Sequence, residues 1–193
     1  MKKRLFIVLC FIAFGACVAQ PVENSFTRVT AKINGWRIGL DAGVAHMDVF
    51  SVNSLPTSIA QSTSVYAGVN QIIFGCNISI SERIDPQYSL FLLEYFFGYR
   101  FNVGQKFWIT PKFGFSAGGG SLENVEYTTT SGYLVTIDFS QVVFAKGNNA
   151  IFVGLSPTYR YLTFSPNTVF ASNHMVGFTL KVGYEFSKQV IRN

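Results

Sequence analysis

Seven stretches of the sequence alternate with a period of two, and in each the two parities carry opposite chemistry. In "FLLEYFFGYRF", Phe91, Leu93, Tyr95, Phe97, Tyr99 and Phe101 share one parity, while Leu92, Glu94, Phe96, Gly98 and Arg100 share the other. Side chains two apart on a strand point to the same face, so each stretch is a strand with one oily face and one small, polar or charged face. The same alternation sets Trp36, Ile38, Leu40, Ala42 and Val44 against Arg37, Gly39, Asp41 and Gly43 in "GWRIGLDAGV". It recurs in "IIFGCNISI" (72–80), "FWITPKFGFSAGG" (107–119), "YLVTIDF" (133–139), "IFVGLSPTYRY" (151–161) and "MVGFTLKVGYEF" (175–186). Most of these reach the about 9–11 residues that a tilted strand needs to cross a bilayer.

An eighth strand is expected in "SFTRVTAKI", Ser25 to Ile33, folded onto the Trp36 strand by a hairpin turn at Asn34-Gly35. "NVGQ" and "KGNN" read as short turns. The longer polar stretches "SVNSLPTSIAQSTS", "SERIDP", "LENVEYTTTSG" and "SPNTVFASN" read as loops. The parity slips by one around Asn70 and Gln71, which reads as a β-bulge. "SAGGGS" (116–121) lacks the Lys-Ser/Thr ending of a phosphate loop and reads as a strand leaving the membrane at a glycine bulge.

The first twenty residues, "MKKRLFIVLCFIAFGACVAQ", have the layout of a secretory signal peptide: a basic start, an apolar stretch from Leu5 to Phe14 and small residues before a cut after Ala19. This divides the chain into a leader, 1–19, and one domain, 20–193. Phe14-Gly15-Ala16-Cys17 is a second possibility, an imperfect lipobox that would make Cys17 the lipidated first residue. Losing Lys2, Lys3 and Arg4 takes the basic count from 15 to 12 against 10 acids, so the formal charge falls from +5 to +2. A nucleic-acid partner is thereby disfavoured, and no basic cluster restores it. Cys76 is left without an intramolecular partner, and no ligand spacing for a metal or other cofactor occurs.

Charged residues make up 13% of the chain, about half the roughly 25% of soluble domains, yet no apolar run after the leader is long enough for a membrane helix. High apolarity dispersed by alternation belongs to a β-barrel. Volume decides which face is inside. A barrel of about eight strands encloses only enough room for side chains to fill it. Some five large apolar residues from every strand would overfill that space, whereas glycine, serine, threonine and isolated charges fit it. The oily face therefore points to lipid.

On this reading Arg37, Asp41, Glu94, Arg100, Lys112, Asp138, Arg160, Lys181 and Glu185 all face the lumen. There they escape the about 2–4 kcal/mol that Lys or Arg costs on the lipid face at the midplane. Five bases against four acids implies mutual pairing, because an unpaired buried charge is expensive. A plugged lumen is expected. Leu92, Phe96, Trp108, Phe152 and Leu162 share the charged parity, so the lumen is mixed or these residues lie where strands leave the membrane. Trp36, Phe101, Phe107, Tyr133, Tyr161 and Phe186 sit near strand ends, as interfacial girdles require.

The last strand, with Val182, Tyr184 and Phe186 closing the alternation, resembles the terminal assembly signal of outer-membrane β-barrels; here "SKQVIRN" follows the aromatic. Leader and strands together resemble the small outer-membrane barrels of the OmpX, OmpW and OmpA-barrel kind. The resemblance implies an all-β, up-and-down antiparallel transmembrane barrel in a bacterial outer membrane. It also implies outer-membrane lipid and lipopolysaccharide around the barrel, barrel-assembly machinery as a partner during insertion, and a monomer.

Catalytic material is sparse. "ASNHM", with Ser172, Asn173 and His174 and with Glu185 or Asp48 as orienter, is the one candidate for a deacylase of envelope lipids, and the His-x-Ser order of such enzymes is not matched. The expectation is a non-enzymatic barrel acting through its loops, structural or adhesive, or a narrow route for small solutes. The competing class is a soluble lipocalin-like binder of an apolar ligand.

Overall fold

The computed structural model describes residues 35–49, 58–83, 88–103, 106–122, 125–165 and 174–189; the leader, Cys17 and the strand expected at 25–33 lie outside them. Nine β-strands form a single antiparallel sheet. They are β1 (Gly35–Val49), β2 (Ser58–Val69), β3 (Ile72–Arg83), β4 (Tyr88–Tyr99), β5 (Phe101–Val103), β6 (Phe107–Leu122), β7 (Val125–Lys146), β8 (Asn149–Ser165) and β9 (His174–Gln189). β4 and β5 pair with β6 in one continuous register, broken only around Arg100, so together they make one stave. β1 pairs with β9 and β4 with β6, closing an up-and-down barrel of eight staves with no free edge in the wall.

The eighth stave is not the one expected. β1 is paired on both flanks, to β2 and to β9, and β2 is drawn from the stretch read as a loop. Its alternation is muted because Gln61 and Thr63 stand on the outer face beside Ser62 and Ser64 on the inner one. Pairing to β1 and β3 along its length overrides that weak local pattern.

The slip at Asn70 and Gln71 is a two-residue hairpin turn, not a bulge: Val69 pairs with Ile72 across it. Asn70 takes φ 55°, and it is locked there by its amide donating to the Gly35 carbonyl at 2.8 Å and its Oδ1 accepting from the Gly35 amide at 3.2 Å. A β-branched side chain tolerates this left-handed backbone poorly. Asn70→Val is expected to lower barrel stability by about 1–2 kcal/mol, read as the urea midpoint of the folded protein in micelles. Asn70→Gly is expected to keep most of it, since only the side-chain bond to Gly35 is lost.

The other irregularities follow their sequence. Gly147 supplies the positive φ of the "KGNN" turn, and the β6–β7 register shifts between Phe115 and Gly119 within the glycine-rich stretch. Of the loop expected over 122–132, residue 122 and residues 125–132 are strand, because β6 ends at Leu122 and β7 runs from Val125. Its outward Ser131 and Thr163 of β8 bond to each other at 2.8 Å, so the wall continues above the oily belt as a polar ladder. Between Thr136↔Thr158 and Phe139↔Leu155 the β7–β8 pairing lapses without change of register. Pro157, which has no amide proton to give, stands in that gap.

Candidate functional site

The two faces of the wall are sorted as volume demanded. Phe97, Phe113 and Phe178 stand outside at 57, 38 and 43% exposure, whereas Glu94 and Lys112 are buried in the bore at 1 and 7%. Large apolar side chains cover every stave from outside, an area far beyond what a water-soluble surface exposes. An apolar-ligand calyx would need the opposite arrangement, which removes the soluble lipocalin-like reading. Aromatic pairs stand near the margins of this belt. Towards the short turns are Trp36–Phe186 at 5.5 Å and Tyr99–Phe101 at 4.8 Å; towards the long connections is Tyr133–Tyr161 at 5.3 Å. Phe107 stacks on Phe139 at the turn end.

The nine charged residues expected to face the lumen are all buried, and all are paired. They form three groups. Nearest the turns, Glu185 holds Arg100 at 2.6 Å and Arg37 at 3.9 Å and accepts the Tyr66 hydroxyl at 2.9 Å. The Arg100 guanidinium lies 4.0 Å from the centre of the Trp108 ring, and Arg37 donates to the Asn70 carbonyl. In the middle, Asp138 receives Lys112 at 2.6 Å and Lys181 at 2.7 Å, and Lys181 reaches Asp41 at 3.5 Å. Beyond it, Glu94 takes a two-pronged contact from Arg160 at 2.6 and 3.0 Å, with Asn77 at 2.6 Å and Ser116 at 3.1 Å filling its remaining lone pairs. Such saturation is what offsets the desolvation of a buried carboxylate.

Alternation predicted which residues face inward, but not Tyr66 or Asn77 as partners. Tyr66 fell in the unassigned β2, and Asn77 was visible only as one more small polar residue on the inner parity. Asn77 also accepts from Ser62 and Ser64 at 2.8 and 3.2 Å, so β2 and β3 are tied to the Glu94 group.

The inner residues that carry no charge close the bore. Ile73, Trp108, Val142, Ala145, Ala150 and Phe152 pack together at the turn end, with Tyr66 and Phe96. Leu90, Leu92, Leu162, Phe164 and Met175 are buried towards the other end. Thus the residues that broke the charged parity are lumenal caps. Glycines make room for them: a Cβ at Gly183 would lie 2.1 Å from the Phe152 ring, and one at Gly39 2.2 Å from that of Tyr66. Between the caps lies a polar cavity of about 40 Å³ bordered by Asp41, Lys112, Asp138, Ser156, Arg160 and Lys181, room for a few waters. Ser156 Oγ is buried there with no protein partner.

His174 stands on the outer wall, its Nδ1 2.7 Å from the Tyr159 hydroxyl. Glu185 lies eleven residues further along the same strand, about 36 Å at 3.3 Å per residue, and is committed to arginine. It cannot orient His174, so that candidate pairing is withdrawn. Ser172 and Asn173 lie outside the described residues, as does the Asp48 side chain.

A closed barrel with an oily exterior and an ionised, filled bore is a transmembrane β-barrel. No family model and no curated relative matches the sequence. Solved structures do. Neisserial surface protein A (NspA) is 13% identical with a TM-score of 0.56, over 79% of this chain and 96% of that one. Outer membrane protein AlkL, solved by solid-state NMR in DMPC lipid bilayers, is 9% identical with a TM-score of 0.43, over 90% and 97%. The chain has the fold of the small outer-membrane β-barrels.

Proposed function

We propose that this protein is an integral protein of a bacterial outer membrane that acts through its loop-end surface, as a structural or adhesive element, and not by conducting solutes. The filled bore of the described residues carries this reading: charges paired in three groups lie between two apolar caps, around a polar cavity of about 40 Å³. A narrow solute route would have to displace a cap and open a saturated ion-pair group at once. The short turns and both ends of the described chain share one end of the barrel, which in outer-membrane barrels is the periplasmic side. In this setting outer-membrane lipid and lipopolysaccharide surround the belt. Barrel-assembly machinery reads β9, where Val182 and Tyr184 project outward and Phe186 is half-buried. That every wall strand is paired among the described residues supports a monomer.

Two measurements test this reading. Heat-dependent migration on a denaturing gel after folding into micelles is expected, and a protein that stays monodisperse without detergent would remove the membrane assignment. In a planar lipid bilayer the folded protein is expected to give no steady current. A large, stable open channel would defeat the sealed lumen while leaving the membrane assignment standing.

A further inference from the structure

Outside the lumen, the charges described on the wall are sorted by end. Lys146 and Lys188 lie at the turn end, and Glu82 and Glu126 at the other. Among the described residues no exposed acid stands at the turn end, because Glu185 is buried.

The two lysines also fall on one arc of the rim. Lys188 sits opposite Trp36 in the β1–β9 register. Lys146 pairs with Asn149, which pairs in turn with Phe186, and the Ser187 amide donates to the Asn148 carbonyl at 2.8 Å, binding the β7–β8 turn to the end of β9. Each lysine is thus held two residues from an aromatic of the belt, Phe144 or Phe186. Such rings settle at headgroup depth, and an ammonium on a four-carbon stem just beyond them reaches the phosphates.

We propose that this arc binds the headgroups of anionic phospholipid, phosphatidylglycerol in chemistry, in the leaflet on the turn side. The inference rests on the membrane reading above. Depth selects the occupant: a soluble acidic partner would require cations standing clear of the membrane surface, whereas these sit at the margin of the apolar belt. Each lysine near an anionic surface is worth roughly a fivefold gain in association, and salt weakens it.

The test uses the full protein in phosphatidylcholine vesicles doped with spin-labelled phosphatidylglycerol or spin-labelled phosphatidylcholine. The labelled anionic lipid is expected to be enriched at the barrel at least about fivefold over the neutral one. The Lys146→Gln, Lys188→Gln double variant is expected to bring the ratio close to one, and Lys146→Gln or Lys188→Gln alone to lower it in part. Glu82→Gln with Glu126→Gln, at the far end, is expected to leave it unchanged. No enrichment in the wild type, an unchanged ratio in the double variant, or complete competition by inorganic phosphate at matched ionic strength would overturn the proposal. Heat-dependent gel migration of every sample separates these outcomes from a failure of the membrane reading.

Discussion

Glu94→Ala is expected to cost about 3–5 kcal/mol of barrel stability, because it removes the carboxylate that the buried Arg160 guanidinium grips at two points. Arg160 is 4% exposed, and its guanidinium meets Glu94 at 2.6 and 3.0 Å. Removing the carboxylate also frees the Asn77 amide and the Ser116 hydroxyl that now point to it. The measurement is equilibrium urea unfolding of the folded protein in micelles, followed by tryptophan fluorescence and by heat-shifted gel migration. Glu94→Ala combined with Arg160→Met is expected to be less destabilised than Glu94→Ala alone, since a buried cation without a counter-charge costs more than an apolar filling of the same space. A loss under about 1 kcal/mol for Glu94→Ala would mean that Arg160 is hydrated through the cavity, and that pairing does not hold the lumen shut.

The second large effect is on the outer face. Leu180 is 45% exposed and lies midway along the outward row of β9 that runs from Phe186 to Val176. Leu180→Arg is expected to destabilise the protein by about 2–4 kcal/mol in lipid, the cost of a cation at the bilayer midplane. Glu82→Arg, outward on β3 beyond Ile80, is expected to cost about 0–1 kcal/mol. Lys181 is one residue from Leu180 in sequence yet lies buried between Asp41 and Asp138. Adjacent positions on one strand therefore have opposite tolerance for charge. Equal tolerance at Leu180 and Glu82 would show that the belt is not in hydrocarbon.

Much of this architecture is legible in the sequence because a wall one strand thick makes parity equivalent to inside or outside. The inward set from Arg37 to Glu185 follows from that alone. β2 escaped notice because Gln61 and Thr63 put polar groups on its outer row, which erased the contrast on which periodicity depends. The turn at Asn70 passed for a bulge for a related reason: two residues reversing a strand and one extra residue within it both slip the parity by one. Only the pairing of Val69 with Ile72 separates the two. The ion-pair partners were not legible at all. Glu94 and Arg160 are 66 residues apart and meet across the bore, so their contact depends on strand tilt and register around the whole circumference, and no local pattern encodes that.

The lapse in the β7–β8 ladder beside Pro157 bears on how the cylinder deforms. A tube stitched evenly round its girth resists squeezing equally in all directions, but one with a slack meridian flattens along it first. That meridian runs past Ser156 and Thr158, which border the internal chamber. Lateral pressure from the bilayer would thus be absorbed as ovalisation there, changing the chamber's shape while the arginine and lysine clasps on either side keep their grip.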